Sequence, residues 1–307
     1  MRTLVLEAII RTKQAISHNG GEKNGNMGLF RTEQKWYQND SGQFKSFHCP
    51  VISANSLRSN LRKISSQIFL DELGEDNNPF KVNLGMFNML FSGGGQVSST
   101  KKDIAGDVGH FKSIRENITP LSLFGTSKGN AMLPGKVDVY DMIPIGKETM
   151  WLLPQSLKEF AYSENKSVSE YLKLRFNTTK DLKNEKAFEK YLEAIEDEKE
   201  RQSIQMLYYT QVLTAGVPMY WKIVLRDVTD VEYSLFMNAL TRFQQVGRAG
   251  GKRSNGMGEF EFVEMQWEDI TKIGQTLTIE NKSTHNLYVE FLQSRKDETK
   301  QFLKDLV

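Results

Sequence analysis

The residues best suited to chemistry are the glycines and cations of residues 247–258, GRAGGKRSNGMG. Five glycines and three cations occur in these twelve residues without one acid. Such a segment exposes backbone N–H groups beside positive charge, which a polyanion site requires. The segment does not fit the P-loop pattern, because Val246 stands where that pattern needs Gly and Arg253 where it needs Ser or Thr. A flexible surface loop is the alternative interpretation.

A second cationic group belongs to a predicted helix. Arg58 and Arg62 are four residues apart, so they share a helix face and repel each other unless an anion lies between them. Ser53 is the predicted N-cap, and Asn55 and Ser56 add polar donors beside the free N–H groups of the first turn. Phosphate is the natural ligand of such a helix end, and a solvated basic face is the alternative.

Metal and nucleophile chemistry have weaker support. The residues that could bind zinc are His18, His48, Cys49 and His110. No pair of them has the spacing of a zinc motif, so structural roles are the alternative. Cys49 could be a nucleophile with His48 or His18 as its base, or a small buried thiol. A two-metal nuclease could use Asp103, Asp107, Asp138 and Asp141, but sequence spacing does not test this.

The elements that must position these groups lie near the two ends of the chain. Residues 3–12 predict a strand that can lie inside a sheet, and the Gly- and Asn-rich residues 17–26 predict a long loop. The helix predicted from Ser53 has an apolar face formed by Leu57, Leu61, Ile64 and Ile68. The second half of the chain predicts a strand at 219–225, a helix at 231–245 and a strand at 259–265. This order is typical of a ferredoxin-like α+β sandwich split by an insertion.

Composition excludes several classes of protein. The chain has 307 residues, 40 Lys and Arg, 38 Asp and Glu, and one cysteine. A single cysteine excludes a disulfide framework, and the apolar run 4–10 is short and contains Glu7, so we expect an intracellular protein without a signal peptide. Residues 1–63 hold ten cations and four acids, whereas 181–200 hold eight acids and four lysines. Positive charge is therefore concentrated near the candidate anion sites.

Five motifs in this order resemble one known family. They are ISHNGG (16–21), ISANSLRSNLR (52–62), LFG (123–125), LPGKV (133–137) and GGKRSNGMGE (250–259). Together they resemble the RAMP superfamily, in particular the backbone subunit of multi-subunit CRISPR-Cas effector complexes. The resemblance extends from residue 3 to about residue 264. The SHNGGE segment is most similar to the type IV version, and the type III and type I-D versions come next.

The resemblance implies an α+β fold with a ferredoxin-like (RRM-like) palm, a large helical fingers-like insertion and a thumb hairpin. The thumb would lie between Leu123 and Pro144. The implied division is a palm of 1–69 and 214–268, an irregular insertion of 70–154 that holds the thumb, a helical insertion of 155–213 and a C-terminal extension of 269–307.

The resemblance also implies a function and partners. Copies of the chain would form a homo-oligomer along one guide RNA (crRNA), bind its sugar-phosphate backbone and present its bases to target DNA or RNA, together with other CRISPR effector subunits. The expected location is the prokaryotic cytoplasm, with no membrane, cofactor or metal involved. The implied RNA-binding residues are His18, Asn19, Ser53, Asn55, Ser56, Arg58, Arg62, Arg248, Gly250, Gly251, Lys252, Arg253 and Ser254.

One departure from the resemblance concerns catalysis. Type III relatives cut target RNA with an aspartate in the loop after the first strand, but residues 17–31 contain no Asp, and Glu22 is their only carboxylate. The sequence therefore predicts a binding subunit without catalytic residues. The alternative is a type III-like target-RNA endonuclease subunit in which Glu22 or the aspartates of the irregular insertion act.

Overall fold

The computed structural model describes residues 1–39, 41–75, 78–94, 108–128, 131–160, 166–178, 207–272, 277–279 and 285–306. The described chain is α+β, as the sequence predicts, with mainly antiparallel sheets. Its strands are β1 (Arg2–Thr12), β2 (Asn19–Asn24), β3 (Met27–Phe30), β4 (Thr32–Gln38), β5 (Phe44–Pro50), β6 (Thr126–Lys128), β7 (Ala131–Leu133), β8 (Val137–Val139), β9 (Ile143–Pro144), β10 (Leu172–Thr178), β11 (Leu207–Leu213), β12 (Pro218–Val228), β13 (Phe260–Asp269) and β14 (Leu277–Ile279).

Seven α-helices lie in the described ranges. They are α1 (Ala54–Leu73), α2 (Leu84–Ser92), α3 (Val108–Asn117), α4 (Thr119–Phe124), α5 (Asp230–Val246), α6 (His285–Ser294) and α7 (Lys296–Asp305). Short 3₁₀ turns occur at Met150–Leu152, Gln155–Phe160, Val168–Tyr171 and Arg253–Asn255.

The largest sheet has the strand order β14-β13-β1-β12-β8, and β9 also pairs with β12. A second sheet has the order β10-β11-β3-β2, in which β11 and β3 are parallel. The pairs β4-β5 and β6-β7 form separate hairpins. Since β1 lies in the middle of the largest sheet, the loop that follows it is held at a defined place.

The core covers both faces of β1. Leu4, Leu6 and Ile10 point to the face where α1 and α5 pack, and all three are fully buried. Ile9 points to the opposite face and packs with Cys49 and other apolar residues around β5 and β9. Burial on both sides explains why β1 reads as a nearly continuous apolar run rather than as an alternation.

Several predicted elements are confirmed. The strands β1, β12 and β13 and the helices α1 and α5 lie where hydrophobic periodicity predicts them. The Ser53 side chain caps α1 by accepting from the Ser56 N–H. Thr229 and Glu232 form a capping box at the start of α5. These local signals act within one helical turn, so they can be recognised in the sequence alone.

Three predicted segments are wrong in part. The long loop predicted at 17–26 contains most of β2, because pairing with β3 outweighs the turn preference of its Gly and Asn residues. The insertion of 70–154, predicted as irregular, contains α2, α3 and α4. Within the helical insertion predicted for 155–213, the described flanks Leu172–Thr178 and Leu207–Leu213 are paired strands. The charged run 183–200 lies outside the described residues.

Candidate nucleic-acid interface

Main-chain hydrogen bonds join the loop after β1 to the glycine-rich loop. The Gly251 N–H donates to the Ser17 carbonyl (2.6 Å) and the Gly258 N–H to the Ala15 carbonyl (2.9 Å). A Cβ at Gly250, whose φ is +78°, would overlap the Ser17 carbonyl oxygen. Glycine is therefore required there for close approach as well as for the left-handed backbone conformation.

These two loops and the second sheet enclose an open cleft of about 420 Å³. Polar side chains, exposed main chain and two tyrosine rings line it. The residues that matter most are Ser17, Asn19, Tyr208, Tyr209, Gly251 and Lys252. Such a lining offers hydrogen-bond donors and one positive charge to a phosphate, and flat rings to a nucleobase.

Lys252 connects the glycine-rich loop to β11. Its backbone is left-handed, with φ of +53°, and its Nζ donates to Thr210 Oγ1 at 2.5 Å. The side chain remains exposed at the cleft. Of the residues predicted to bind RNA, Asn19, Gly251 and Lys252 line this cleft. Gly250 packs against the carbonyl of Ser17, which also lines it.

His18 lies beside the cleft and holds the start of α1. The Ser53 backbone N–H donates to His18 Nε2 at 3.1 Å, and Ser53 Oγ lies at the same distance. Burial lowers the pKa of His18, the positive charge of Arg31 lowers it further, and Asp141 opposes the shift. The ring is thus held neutral with Nε2 as an acceptor, so it serves as a helix cap rather than as a cation.

A carboxylate already occupies the first turn of α1. The Ala54 N–H donates to Asp141 Oδ1 at 2.6 Å. Burial raises the pKa of Glu33, and a hydrogen bond with Asp141 raises it further. Ser53 is buried, Ser56 is half-buried and Asn55 is exposed. A phosphate at this helix end would therefore meet negative charge, which the sequence did not indicate.

Arg58 and Arg62 converge on one backbone carbonyl. Their Nη2 atoms donate to the Phe124 oxygen at 2.7 Å and 2.5 Å. Burial, followed by the charge of Arg58, lowers the pKa of Arg62 to about 10. Burial also lowers the pKa of Arg58, and its Nε is buried without a hydrogen-bond partner in the described chain. Both arginines are half-buried, so they do not form the solvated basic face that was the alternative interpretation of the sequence.

The remaining predicted residues of the glycine-rich loop lie apart from the cleft lining. Arg253 Nε donates to the Gly250 carbonyl at 3.2 Å, and its Nη2 reaches Asn60 of α1 at 3.4 Å. Ser254 is exposed, and its hydroxyl bonds to the neighbouring Asn255. Arg248 is exposed on a different surface, which Lys13 and Glu259 share.

Sequence reasoning missed the contribution of β11. Tyr208 and Tyr209 are each 41% exposed, and Thr210 and Gln211 complete their side of the cleft. The adjacent tyrosines were a possible signal. The nearby acidic run instead predicts a helical insertion over the segment that contains β11.

The other chemistries have little geometric support. Burial raises the pKa of the Cys49 thiol to about 12, so this cysteine is a poor nucleophile. Within the described ranges, no group of three His, Cys, Asp or Glu residues could hold a metal ion. The side chain of His110 is outside the described atoms. In the described part of the chain, no helix is long and apolar enough to cross a membrane.

The fold resembles that of a known protein. No family model and no curated protein sequence matches the chain. Among solved structures, a chain described as "Type IV-B CRISPR Complex" is similar, with a TM-score of 0.53 and 16% sequence identity. The match covers 92% of this chain and 96% of that one. This chain therefore shares its fold, across nearly its whole length, with a chain of a CRISPR complex.

Proposed function

We propose that the protein is an RNA-binding subunit of a CRISPR effector complex, and that copies of it assemble along a guide RNA. Each copy would bind a short stretch of the sugar-phosphate backbone and leave the bases free to pair with target DNA or RNA. Other effector subunits would complete the complex. The convergence of Asn19, Gly251 and Lys252 on one cleft carries this proposal. The fold shared with a chain of a Type IV-B CRISPR complex supports it.

The strand order supports a RAMP-type palm. Four strands of the largest sheet lie in the order β13-β1-β12-β8, and α1 and α5 pack on one face. Because this order is compatible with a ferredoxin-like fold, we propose residues 1–69 and 214–268 as the palm. The β6-β7 hairpin lies within the predicted thumb region between Leu123 and Pro144.

The cleft and the arginine pair have different roles in this proposal. In this proposal Lys252 binds phosphate oxygens, because its side chain is exposed at the cleft, whereas the Gly251 N–H already donates to the Ser17 carbonyl. Arg58 and Arg62 hold α4 against α1 through the Phe124 carbonyl and so position the segment before β6. The two arginines are half-buried, so they are less accessible to a phosphate than Lys252 is.

We propose that the subunit binds RNA without cutting it. Asp138 forms an ion pair with Arg226 at 2.6 Å, and Asp141 accepts a hydrogen bond from the start of α1. Both aspartates therefore have structural contacts. Incubating the assembled complex with labelled complementary RNA and Mg²⁺ tests this, and evenly spaced cuts that are lost on Glu22→Ala would favour the endonuclease alternative instead.

Native mass spectrometry with single-stranded RNAs of increasing length tests the main proposal. The number of protein copies should rise stepwise with RNA length, and duplex DNA of matched charge should bind fewer copies. A single copy at every length, or no RNA binding at all, would contradict assembly along a guide.

A further inference from the structure

The β4-β5 hairpin exposes two aromatic side chains on one face. Trp36 is 58% exposed and Phe44 is 70% exposed. Trp36 pairs with Ser46, and Phe44 pairs with Gln38, so the two rings are diagonal neighbours on adjacent strands. Exposed aromatic side chains that share a face commonly mark a binding surface.

Contacts within the hairpin stabilise its two strands and its turn. On the opposite face, the rings of Tyr37 and Phe47 pack edge to face at 5.5 Å. At the tip, the Asn39 side chain accepts from the Gln43 N–H at 2.8 Å, and the Asn39 N–H donates to the Gln43 carbonyl at 2.9 Å. The two exposed rings are therefore presented on an ordered support, which lowers the entropic cost of binding.

The spacing of the two rings suits one flat ligand. Diagonal neighbours on antiparallel strands have Cβ atoms roughly 7 Å apart. Both side chains are therefore close enough to contact one planar base, which packs at about 3.5 Å from an aromatic ring. The exposed neighbours on this face, Gln34, Gln38 and His48, can form hydrogen bonds with the edge of a base.

A folded protein is a poorer candidate for this surface. A stable protein interface buries roughly 800 Å² on each partner. Two aromatic side chains bury about 150–250 Å² each. Amide, hydroxyl and imidazole groups surround them, rather than further apolar residues. The area of this face is thus large enough to bind a base, but it is smaller than a stable interface with a second copy of the chain requires.

The base of the hairpin adjoins the cleft. The Arg31 N–H donates to the His18 carbonyl at 2.7 Å, and the Val51 N–H donates to the Arg31 carbonyl at 3.0 Å. His18 immediately precedes Asn19, which lines the cleft. Trp36 and Phe44 lie toward the tip of this hairpin, so a strand whose phosphates lie in the cleft would reach them by running along the hairpin, roughly 15–20 Å from its base.

We propose that Trp36 and Phe44 form a stacking site for one unpaired base of the bound RNA. This inference rests on the RNA binding proposed above. The site would contact a base ring at the hairpin, separate from any base that Tyr208 and Tyr209 contact in the cleft. It would tolerate any base, since every base has a flat face.

Tryptophan fluorescence tests the site directly. The chain has four tryptophans, of which Trp221 and Trp267 are buried, so Trp151→Phe leaves Trp36 as the exposed reporter. A uridine RNA of about twelve nucleotides should quench Trp36 and bind about tenfold more tightly than an abasic oligomer of the same length. Trp36→Ala and Phe44→Ala should each reduce that preference, and a preference unchanged in both variants would overturn the stacking site. Trp36→Phe should keep most of it, and Leu84→Ala, which removes another exposed apolar side chain, should leave it unchanged.

The outcomes separate this inference from the proposed function. Equal affinity for both oligomers without quenching would overturn the stacking site while RNA binding stands. Failure to bind either oligomer would overturn both proposals. Loss of a protein dimer on Trp36→Ala, with unchanged RNA affinity, would assign the face to a second copy of the chain and overturn the stacking site.

Discussion

The glycine-rich loop and the middle of α1 both concentrate positive charge, and they use it in different ways. Lys252 lies at the open cleft, fastened by one hydrogen bond to Thr210. Arg58 and Arg62 turn inward and share the Phe124 carbonyl. The cation of the first region is exposed, whereas the arginines of the second are half-buried and each donates to the fold.

The difference shows how the chain's own carbonyl groups compete with a ligand. Phe124 is the last residue of α4, so its carbonyl lies at the negative end of that helix and attracts cations. No helix end competes for Lys252 in the same way, because its partner is a hydroxyl group. Four substitutions would test whether the two regions differ in this way.

Substitution of Gly250 by alanine should have the largest effect. The new Cβ would overlap the Ser17 carbonyl in a left-handed backbone, so we expect a loss of about 2–4 kcal/mol in the free energy of unfolding. Gly256→Ala is the matched control, because Gly256 is also left-handed but has open space, and it should cost about 1–2 kcal/mol. Urea denaturation measures both. Equal losses would mean that the close approach of the loops is unimportant.

Replacement of both Arg58 and Arg62 by methionine should destabilise the fold. It leaves the Phe124 carbonyl without these donors, and we expect a loss of about 2–3 kcal/mol in the free energy of unfolding. Lys63→Met, at an exposed position on the same helix, should change it by less than about 0.5 kcal/mol. Unchanged stability together with lost RNA binding would make the pair a direct RNA contact after all.

Lys252→Ala should weaken RNA binding and hardly change stability. We expect about tenfold lower affinity and a decrease of about one in the slope of log affinity against log salt concentration. A salt titration by fluorescence anisotropy measures both quantities. Lys304→Ala removes an exposed cation from α7 and serves as the control. Identical salt slopes for the two variants would remove Lys252 from the interface.

Glu33→Gln should have the smallest effect and reports on the first turn of α1. Because the pKa of Glu33 is raised in the folded chain, its contribution to stability is present below its ordinary pKa of 4.5 and is lost as the pH rises through the raised value. The variant should therefore flatten the dependence of Tm on pH above the ordinary pKa of 4.5, by no more than about 2 °C. An unchanged profile would mean that the raised pKa of Glu33 does not contribute to stability.

Part of the candidate site was readable from the sequence. The glycines and cations of residues 247–258 mark an anion site by residue type, and three predicted residues, Asn19, Gly251 and Lys252, do line one cleft. Tyr208 and Tyr209 were not predicted, because β11 joins the cleft through parallel pairing with β3, far away in the sequence. No local pattern reports such pairing.

Hydrophobic periodicity and helix caps act over a few neighbouring residues, so β1, α1, β12, α5 and β13 can be predicted from the sequence. Tertiary packing determines which cations remain exposed to a ligand. Arg58 and its acceptor Phe124 are 66 residues apart, and Lys252 and Thr210 are 42 apart. A hydrogen bond over such a separation depends on how helices and sheets pack, and charge spacing along the chain carries no information about that packing.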